Sequence, residues 1–173
     1  MRHTRQHLKF CIPMKDLSFN VPVVMKTEDE LNETERALLA EAKQATYRSY
    51  APYSNFSVGA AVLLADGTIV SGSNQENSAY PSGLCAERTA LFYANSRYPD
   101  TAIDMLCCAA RDVHGNFTLR PIAPCGSCRQ VLLETETRFG RPIRVMLYGT
   151  EGIYFVDRAT HLLPVYFDAS YLK

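Results

Sequence analysis

Three cysteines and the spacing between them constrain this chain more tightly than any other feature of its sequence. Cys125 and Cys128 form a Cys-x-x-Cys pair after Pro124, and Cys85 lies forty residues before the pair. Three thiolates are soft ligands suited to a tetrahedral Zn²⁺, and they leave the fourth position open for water, as catalytic zinc sites do. The pattern therefore predicts one Zn²⁺ per chain, held by these three sulfurs.

Charged residues beside the cysteines complete this predicted site. Glu87 follows Cys85 by two residues, too near to be an easy fourth ligand but well placed to reach a water at the open position. We interpret it as a proton shuttle. Three thiolates and one Zn²⁺ carry a net negative charge, so the site needs positive potential from helix N-termini and from neighbouring cations. Arg88 and Arg129 each follow a motif element, and we expect them to donate hydrogen bonds to ligand sulfurs.

The Cys-x-x-Cys pair has other interpretations when it is taken alone. Cys125 and Cys128 would also suit a structural zinc knuckle or a redox pair. A redox site favours a thioredoxin-like strand-to-helix order, and it leaves Cys85 and Glu87 without a role. The full set of four residues therefore favours a catalytic zinc site.

Charge and cysteine usage limit the substrate and the compartment. Lys and Arg together number 18, as do Asp and Glu, so the formal net charge is zero. Without a global basic field the chain is not expected to gather nucleic acid or an anionic membrane, and a small neutral substrate is favoured. We find no secretory signal and no apolar run of the roughly 18 residues that a membrane span requires. The clustered cysteines suit a reducing compartment, and we expect a cytoplasmic location.

The order of predicted elements indicates an α/β domain. A capping box of Thr27 and Glu30 predicts a helix from residue 27 to about 50, where Pro52 ends it. The remaining pattern predicts helices at 84–95 and 126–139, whose first turns hold Cys85 and Cys128, and strands at 57–64, 68–70, 103–110, 143–148 and 153–156. We therefore expect a three-layer α/β/α domain over 27–173 with a mixed five-stranded sheet. Residues 1–26 form a predicted N-terminal extension, lying on the domain or partly disordered.

A family resemblance covers about residues 30–168 and rests on five stretches. The stretches are YAPYSNFSVGAA at 50–61, NQEN at 74–77, YP at 80–81, CAERTA at 85–90 and PCGSCRQ at 124–130. They resemble the cytidine deaminase family, in its small homotetrameric, zinc-dependent type. Nucleic-acid deaminases of this superfamily often carry His-Ala-Glu, whereas this chain carries Cys-Ala-Glu, as the three-cysteine nucleoside enzymes do.

The resemblance implies an activity and a set of site residues. It implies zinc-dependent hydrolysis of cytidine and deoxycytidine to uridine and deoxyuridine in pyrimidine salvage, with Glu87 carrying a water proton to N3 and then to the leaving amino group. Phe56 would pack on the substrate, and Asn74 and Glu76 would bind the ribose hydroxyls. The resemblance also implies a homotetramer. Its remaining substrate-binding positions are Ala86 and, from neighbouring subunits, Tyr80 and Phe167.

Two other functions fit part of the same evidence. A zinc deaminase acting on a polynucleotide or on a nucleoside antibiotic would share the metal site but not the ribose-binding loop. A noncatalytic zinc-binding interaction module would need the cysteines alone. Turnover of free cytidine and competition by polynucleotide distinguish these alternatives.

Overall fold

A six-stranded mixed sheet organises the residues that the computed structural model describes, 18–172. Its spatial order is β1-β6-β5-β4-β2-β3, in which β4 and β5 are parallel and the other neighbours are antiparallel. The strands are β1 (Val24–Lys26), β2 (Ser57–Leu64), β3 (Ile69–Ser73), β4 (Ile103–Arg111), β5 (Arg144–Gly149) and β6 (Gly152–Val156).

Helices cover both faces of the sheet, which confirms the predicted three-layer α/β/α architecture. They are α1 (Glu33–Ala45), α2 (Ala86–Arg97) and α3 (Gly126–Phe139). Successive side chains of β4 point to opposite faces: Cys107 belongs to the apolar core beneath α1, and Cys108 to the core beneath α2 and α3. Within residues 18–172 no helix combines the length and the apolar composition that crossing a membrane requires.

The sheet has six strands where five were predicted, and the additional strand is β1. It comes from the stretch assigned to the N-terminal extension and pairs antiparallel with β6, with Val24 opposite Phe155. Its side chains are largely exposed, so the sequence carries no alternating pattern there. Residues 1–17 lie outside the described part of the chain, and the division of the chain at residue 27 remains a prediction.

The first α-helix begins six residues later than predicted. The Glu30 carboxylate does accept a hydrogen bond from the Thr27 N–H at 2.8 Å, but this turn closes only a 3-10 helix, Glu28–Glu30. A second capping box then starts α1: the Asn32 side-chain oxygen accepts from the Glu35 N–H at 2.8 Å. The predicted start was too early because the second of two successive capping boxes, not the first, begins the α-helix. The helix α1 ends at Ala45 rather than near residue 50.

Gly72 of β3 lets α2 lie unusually close to the sheet. A Cβ atom at this position would lie 2.6 Å from the Ala90 backbone nitrogen and 3.0 Å from the Thr89 Cβ. Because α2 carries part of the candidate site, this contact fixes how deeply that part of the site is set against the sheet.

We expect Gly72→Ala to lower the free energy of unfolding by about 2–3 kcal/mol, because the new methyl group meets backbone that no side-chain rotation can move away. Urea denaturation measures the loss. Gly126→Ala is the matched control, since a Cβ there has no heavy atom within 4 Å. Equal stability of the two variants would contradict the close packing of α2.

Candidate zinc and substrate site

The three predicted ligands converge on one point. The Sγ atoms of Cys85 and Cys125 lie 3.6 Å apart, those of Cys125 and Cys128 lie 3.5 Å apart, and all three lie within 4.8 Å of one another. A tetrahedral zinc with Zn–S bonds of about 2.3 Å separates its ligand sulfurs by about 3.8 Å. The cluster therefore fits a zinc ion held by three sulfurs.

Two helix N-termini deliver these cysteines. Cys85 is the N-cap residue of α2 rather than a member of its first turn, and its carbonyl accepts from the Thr89 N–H at 3.0 Å. Cys125 is the N-cap of α3, and Cys128 is the third residue of that helix. The unpaired N–H groups at both helix starts bring positive potential to the sulfurs. Both helix starts therefore face the cluster of sulfurs with the end that favours negative charge.

The two neighbouring arginines differ in what they contact. The Arg88 Nη2 donates to the Cys85 Sγ at 3.8 Å. Arg129 does not make the predicted contact with a sulfur: its Nε donates to the Pro124 carbonyl at 2.8 Å and its Nη1 to the Leu162 carbonyl at 2.7 Å. Of these two arginines, Arg88 therefore brings positive charge to a ligand sulfur, whereas Arg129 binds the backbone carbonyls of Pro124 and Leu162.

Protonation within the cluster is uneven. A hydrogen bond from the Cys128 thiol, followed by the Arg88 guanidinium, lowers the pKa of Cys85 to about 5. The same contact with Cys85, together with burial, raises the pKa of Cys128. The Cys85 thiol thus ionises more readily than the Cys128 thiol.

Glu87 is the second residue of α2, and only 5% of it is exposed. Burial, and then the negative charge of Cys85, raises the pKa of its carboxyl group. A carboxyl group with a raised pKa accepts a proton more readily than an ordinary carboxyl group does, and this property suits a proton shuttle.

A pocket of about 650 Å³ opens beside the sulfurs. This volume lies within the range of small-molecule sites. The wall includes Cys85, Cys125, Glu87 and Arg88, and it also includes the predicted substrate residues Phe56, Asn74, Glu76, Tyr80 and Ala86. Three other predicted residues are not part of that wall: the buried Cys128, the partly buried Arg129 and the exposed Phe167.

Asn74 is 9% exposed, and the protein itself uses most of its hydrogen-bonding capacity. Its Oδ1 accepts from the Ser49 hydroxyl at 2.6 Å and the Val58 N–H at 2.8 Å, and its Nδ2 donates to the Phe56 carbonyl at 2.9 Å. An amide can make about four such bonds, so one Nδ2 hydrogen remains. Asn74 thus fixes the backbone around Phe56 in addition to lining the pocket.

Glu76 is held by residues to which sequence reasoning gave no role. Its Oε2 accepts from the Tyr53 N–H at 2.9 Å, and its Oε1 accepts from the Ser54 hydroxyl. The Ser54 hydroxyl and then the Tyr53 N–H lower the pKa of the Glu76 carboxyl, which keeps it charged. Tyr53 and Ser54 both belong to the stretch 50–61 that carries the family resemblance, so that stretch could have identified them as residues of the site.

Tyr80 and Phe167 lie on the surface. Tyr80 is 74% exposed at the mouth of the pocket and contacts Tyr53 edge to face with ring centroids 5.8 Å apart. Phe167 is 56% exposed and stacks on Tyr171 at 5.6 Å. The chain's own pocket therefore includes Tyr80 but not Phe167.

Comparison with known sequences identifies relatives of this arrangement. Residues 32–139 match the family described as the cytidine and deoxycytidylate deaminase zinc-binding region, and this range includes all three cysteines and Glu87. The chain is 46% identical to the cytidine deaminase of Halalkalibacterium halodurans over 99 residues, which is 56% of this chain and 68% of that protein. It is 40% identical to the cytidine deaminase of Mycobacterium tuberculosis over 115 residues, 65% of this chain and 81% of that one.

Solved structures share the fold. The cytidine deaminase of Burkholderia pseudomallei superposes with a TM-score of 0.64 at 41% identity, covering 76% of this chain and 97% of that one. The cytidine deaminase of M. tuberculosis superposes with a TM-score of 0.59 at 36% identity, covering 76% of this chain and 95% of that one.

Proposed function

This chain belongs to the cytidine and deoxycytidylate deaminase family, and we propose that it hydrolyses the 4-amino group of cytidine and deoxycytidine. The products are uridine or deoxyuridine and ammonia. The enzyme depends on zinc, which Cys85, Cys125 and Cys128 hold.

The observation that carries this proposal is the shared wall of the pocket. Two of the ligand sulfurs, the buried Glu87 carboxyl and the charged Glu76 carboxylate line one cavity of about 650 Å³. A nucleoside joins a base that needs acid–base chemistry to a ribose diol that a carboxylate recognises. One compact pocket therefore offers a group for each half of the substrate.

The chemistry divides between the metal and the protein. Zinc, when bound, supplies a Lewis acid that makes water nucleophilic near neutral pH. Glu87 takes one proton from the water that attacks C4 and delivers it to N3 of the ring. It then takes the remaining proton from the new C4 hydroxyl group and transfers it to the amino group, which leaves as ammonia. Arg88 offsets the negative charge of the sulfurs through its contact with Cys85, 3.8 Å away.

Other residues of the wall orient the nucleoside. Phe56 offers an aromatic surface for the base, and its backbone is fixed by the Asn74 side chain. The remaining Nδ2 hydrogen of Asn74 and the Glu76 carboxylate are the donor and acceptor for the ribose hydroxyls. Ala86, the first residue of α2, leaves space beside the base.

We expect Glu76→Ala to raise KM for cytidine by about 10- to 100-fold with a smaller effect on kcat, because it removes a charge-assisted hydrogen bond to the ribose. The absorbance change on conversion of cytidine to uridine measures both constants. Ser54→Ala is the matched control. It removes a hydroxyl group that donates to Glu76, but the protein keeps the Glu76 carboxylate itself. If Ser54→Ala raised KM as much as Glu76→Ala, Glu76 would act on the loop rather than on the ribose.

Free nucleoside is expected to be preferred to a polynucleotide. Glu76 would repel a phosphate on the ribose hydroxyl that it binds, and the zero net charge supplies no field for a nucleic acid. Cytidine 3′-monophosphate and single-stranded oligonucleotides should be poor substrates and weak competitors, and salt should barely change turnover of cytidine. Rapid, strongly salt-sensitive deamination of oligonucleotides would favour the polynucleotide alternative, and zinc binding without turnover would favour the noncatalytic module.

We further propose that the active form is a homotetramer in the cytoplasm. The exposed Tyr80 and Phe167 support the assembly, since the family resemblance gives both a place in neighbouring pockets. The free thiols of Cys107 and Cys108, and those of the zinc ligands, suit a reducing compartment. Sedimentation analysis measures the assembly, and a monomer with full activity would contradict it.

A further inference from the structure

Arg129 joins two segments of backbone that are distant in sequence. Its Nε donates to the Pro124 carbonyl at 2.8 Å and its Nη1 to the Leu162 carbonyl at 2.7 Å. Pro124 directly precedes a zinc ligand, whereas Leu162 ends the 3-10 helix Ala159–Leu162 near the C-terminus. The rigid guanidinium presents its donors in a fixed fork, which suits two acceptors at once.

The Cys125 ligand depends on this backbone more than the other two do. Cys128 is fully buried within α3, and Cys85 receives a hydrogen bond from Arg88. Cys125 is exposed, and the hydrogen-bond contacts of its sulfur are with the other two ligand sulfurs, at 3.6 Å and 3.5 Å. Its position therefore follows from the backbone that leads into it, which begins at Pro124.

The other end of the contact is firmly anchored. Glu136, also on α3, accepts from the Ala159 N–H at 2.8 Å and from the Thr160 hydroxyl at 3.0 Å. The 3-10 helix is thus fixed to the same helix that carries Cys128. This arrangement gives Arg129 a rigid support against which to hold the Pro124 carbonyl.

We propose that Arg129 is a positioning residue for Cys125. By tying the Pro124 carbonyl to the C-terminal 3-10 helix, Arg129 slows the release of zinc. This inference rests on the zinc site of the proposed function. It assigns to Arg129 a geometric action on the ligand loop in place of an electrostatic action on a sulfur. By linkage, bound zinc should in turn stabilise the 3-10 helix.

Two substitutions separate geometry from charge. Arg129→Gln removes the fork and the charge, whereas Arg129→Lys keeps the charge but offers an ammonium that cannot span both carbonyls. Gln130→Ala is the matched control, because Gln130 also ties α3 to the C-terminal segment, through the Phe167 carbonyl at 2.9 Å, whereas among the described residues its side chain makes no hydrogen bond to Pro124 or Cys125.

The rate of zinc release to a colorimetric chelator is the first measurement. We expect release about 10- to 100-fold faster in both Arg129 variants and a rate near that of the wild type in Gln130→Ala. A Lys variant that restores the wild-type rate would show that charge, not the fork, is what matters. A Gln variant with the wild-type rate, or a Gln130→Ala variant as fast as the Arg129 variants, would also overturn the proposal.

Hydrogen exchange of residues 159–163 is the second measurement, and it does not require activity. Zinc should slow exchange in the wild-type protein and in Gln130→Ala, and should have little effect in Arg129→Lys; equal protection in all three would contradict the link. A wild-type protein that holds zinc but does not deaminate cytidine would contradict the proposed function while leaving both tests intact. A wild-type protein without zinc would contradict both.

Discussion

Glu87→Gln is expected to lower kcat for cytidine by about two to four orders of magnitude while the zinc content stays unchanged. A neutral amide has nearly the same shape as the carboxyl group but cannot take a proton from water, and this transfer supplies an acceleration of about that size. Glu87 is buried beside the sulfurs and lines the pocket, but it is not one of the three clustered ligands. The change should therefore separate proton transfer from metal binding.

The control for Glu87→Gln is a second buried glutamate, Glu136, which is also 5% exposed. Its Oε2 accepts from the Ile143 N–H at 3.0 Å and from the Ala159 N–H at 2.8 Å, and it does not line the pocket. Glu136→Gln should lower stability and leave kcat within a few-fold of the wild type. Activity near normal in Glu87→Gln, or an equal loss of kcat in both variants, would remove Glu87 from the mechanism.

Elements with a clear local signal were predicted closely. The predicted strand 57–64 and helix 126–139 agree with β2 and α3 as the structure has them. A hairpin turn follows β2, Pro124 precedes α3, and Gly140 ends that helix. The strand β1 was missed for a physical reason: its three residues are mostly exposed, and only the pairing of Val24 with Phe155 across the sheet makes them a strand. Such long-range pairing leaves no periodic trace in the sequence.

Site residues divide in the same way. Cys85, Cys125 and Cys128 could be identified from spacing because the metal constrains residue type as well as position. The hydrogen-bond partners of Arg129 could not be identified from the sequence. A side chain that follows a ligand along a helix can turn towards the metal or towards neighbouring backbone. Its Leu162 acceptor comes from a distant segment, so only the tertiary structure reveals the contact.

Cys125→Ala is expected to reduce the metal content from about one zinc per chain to a small fraction after dialysis against a chelator, as measured by elemental analysis. A catalytic zinc ion is held by only three protein ligands, and most of the free energy of zinc binding depends on keeping all three. Activity should fall with the metal. Full retention of zinc in this variant would contradict the ligand assignment.

Cys125 is the most informative ligand to remove because its side chain is exposed. Deleting an exposed sulfur leaves no cavity, so the zinc-free variant should unfold within about 0.5 kcal/mol of the zinc-free wild type. The wild type should also gain stability when zinc is added, by about 4 kcal/mol at a thousand times the dissociation constant, and the variant should not.

The matched control is Cys107→Ala, which removes a fully buried sulfur from the core beneath α1. This change leaves a small cavity and should cost about 1–2 kcal/mol of stability, yet it should leave the zinc content at about one per chain. The two cysteines thus make opposite predictions: removal of Cys125 loses metal without loss of apo-protein stability, and removal of Cys107 loses stability without loss of metal. Only a site in which sulfur binds the metal directly at position 125 gives both results, because a general weakening of the fold would lower stability and metal content together.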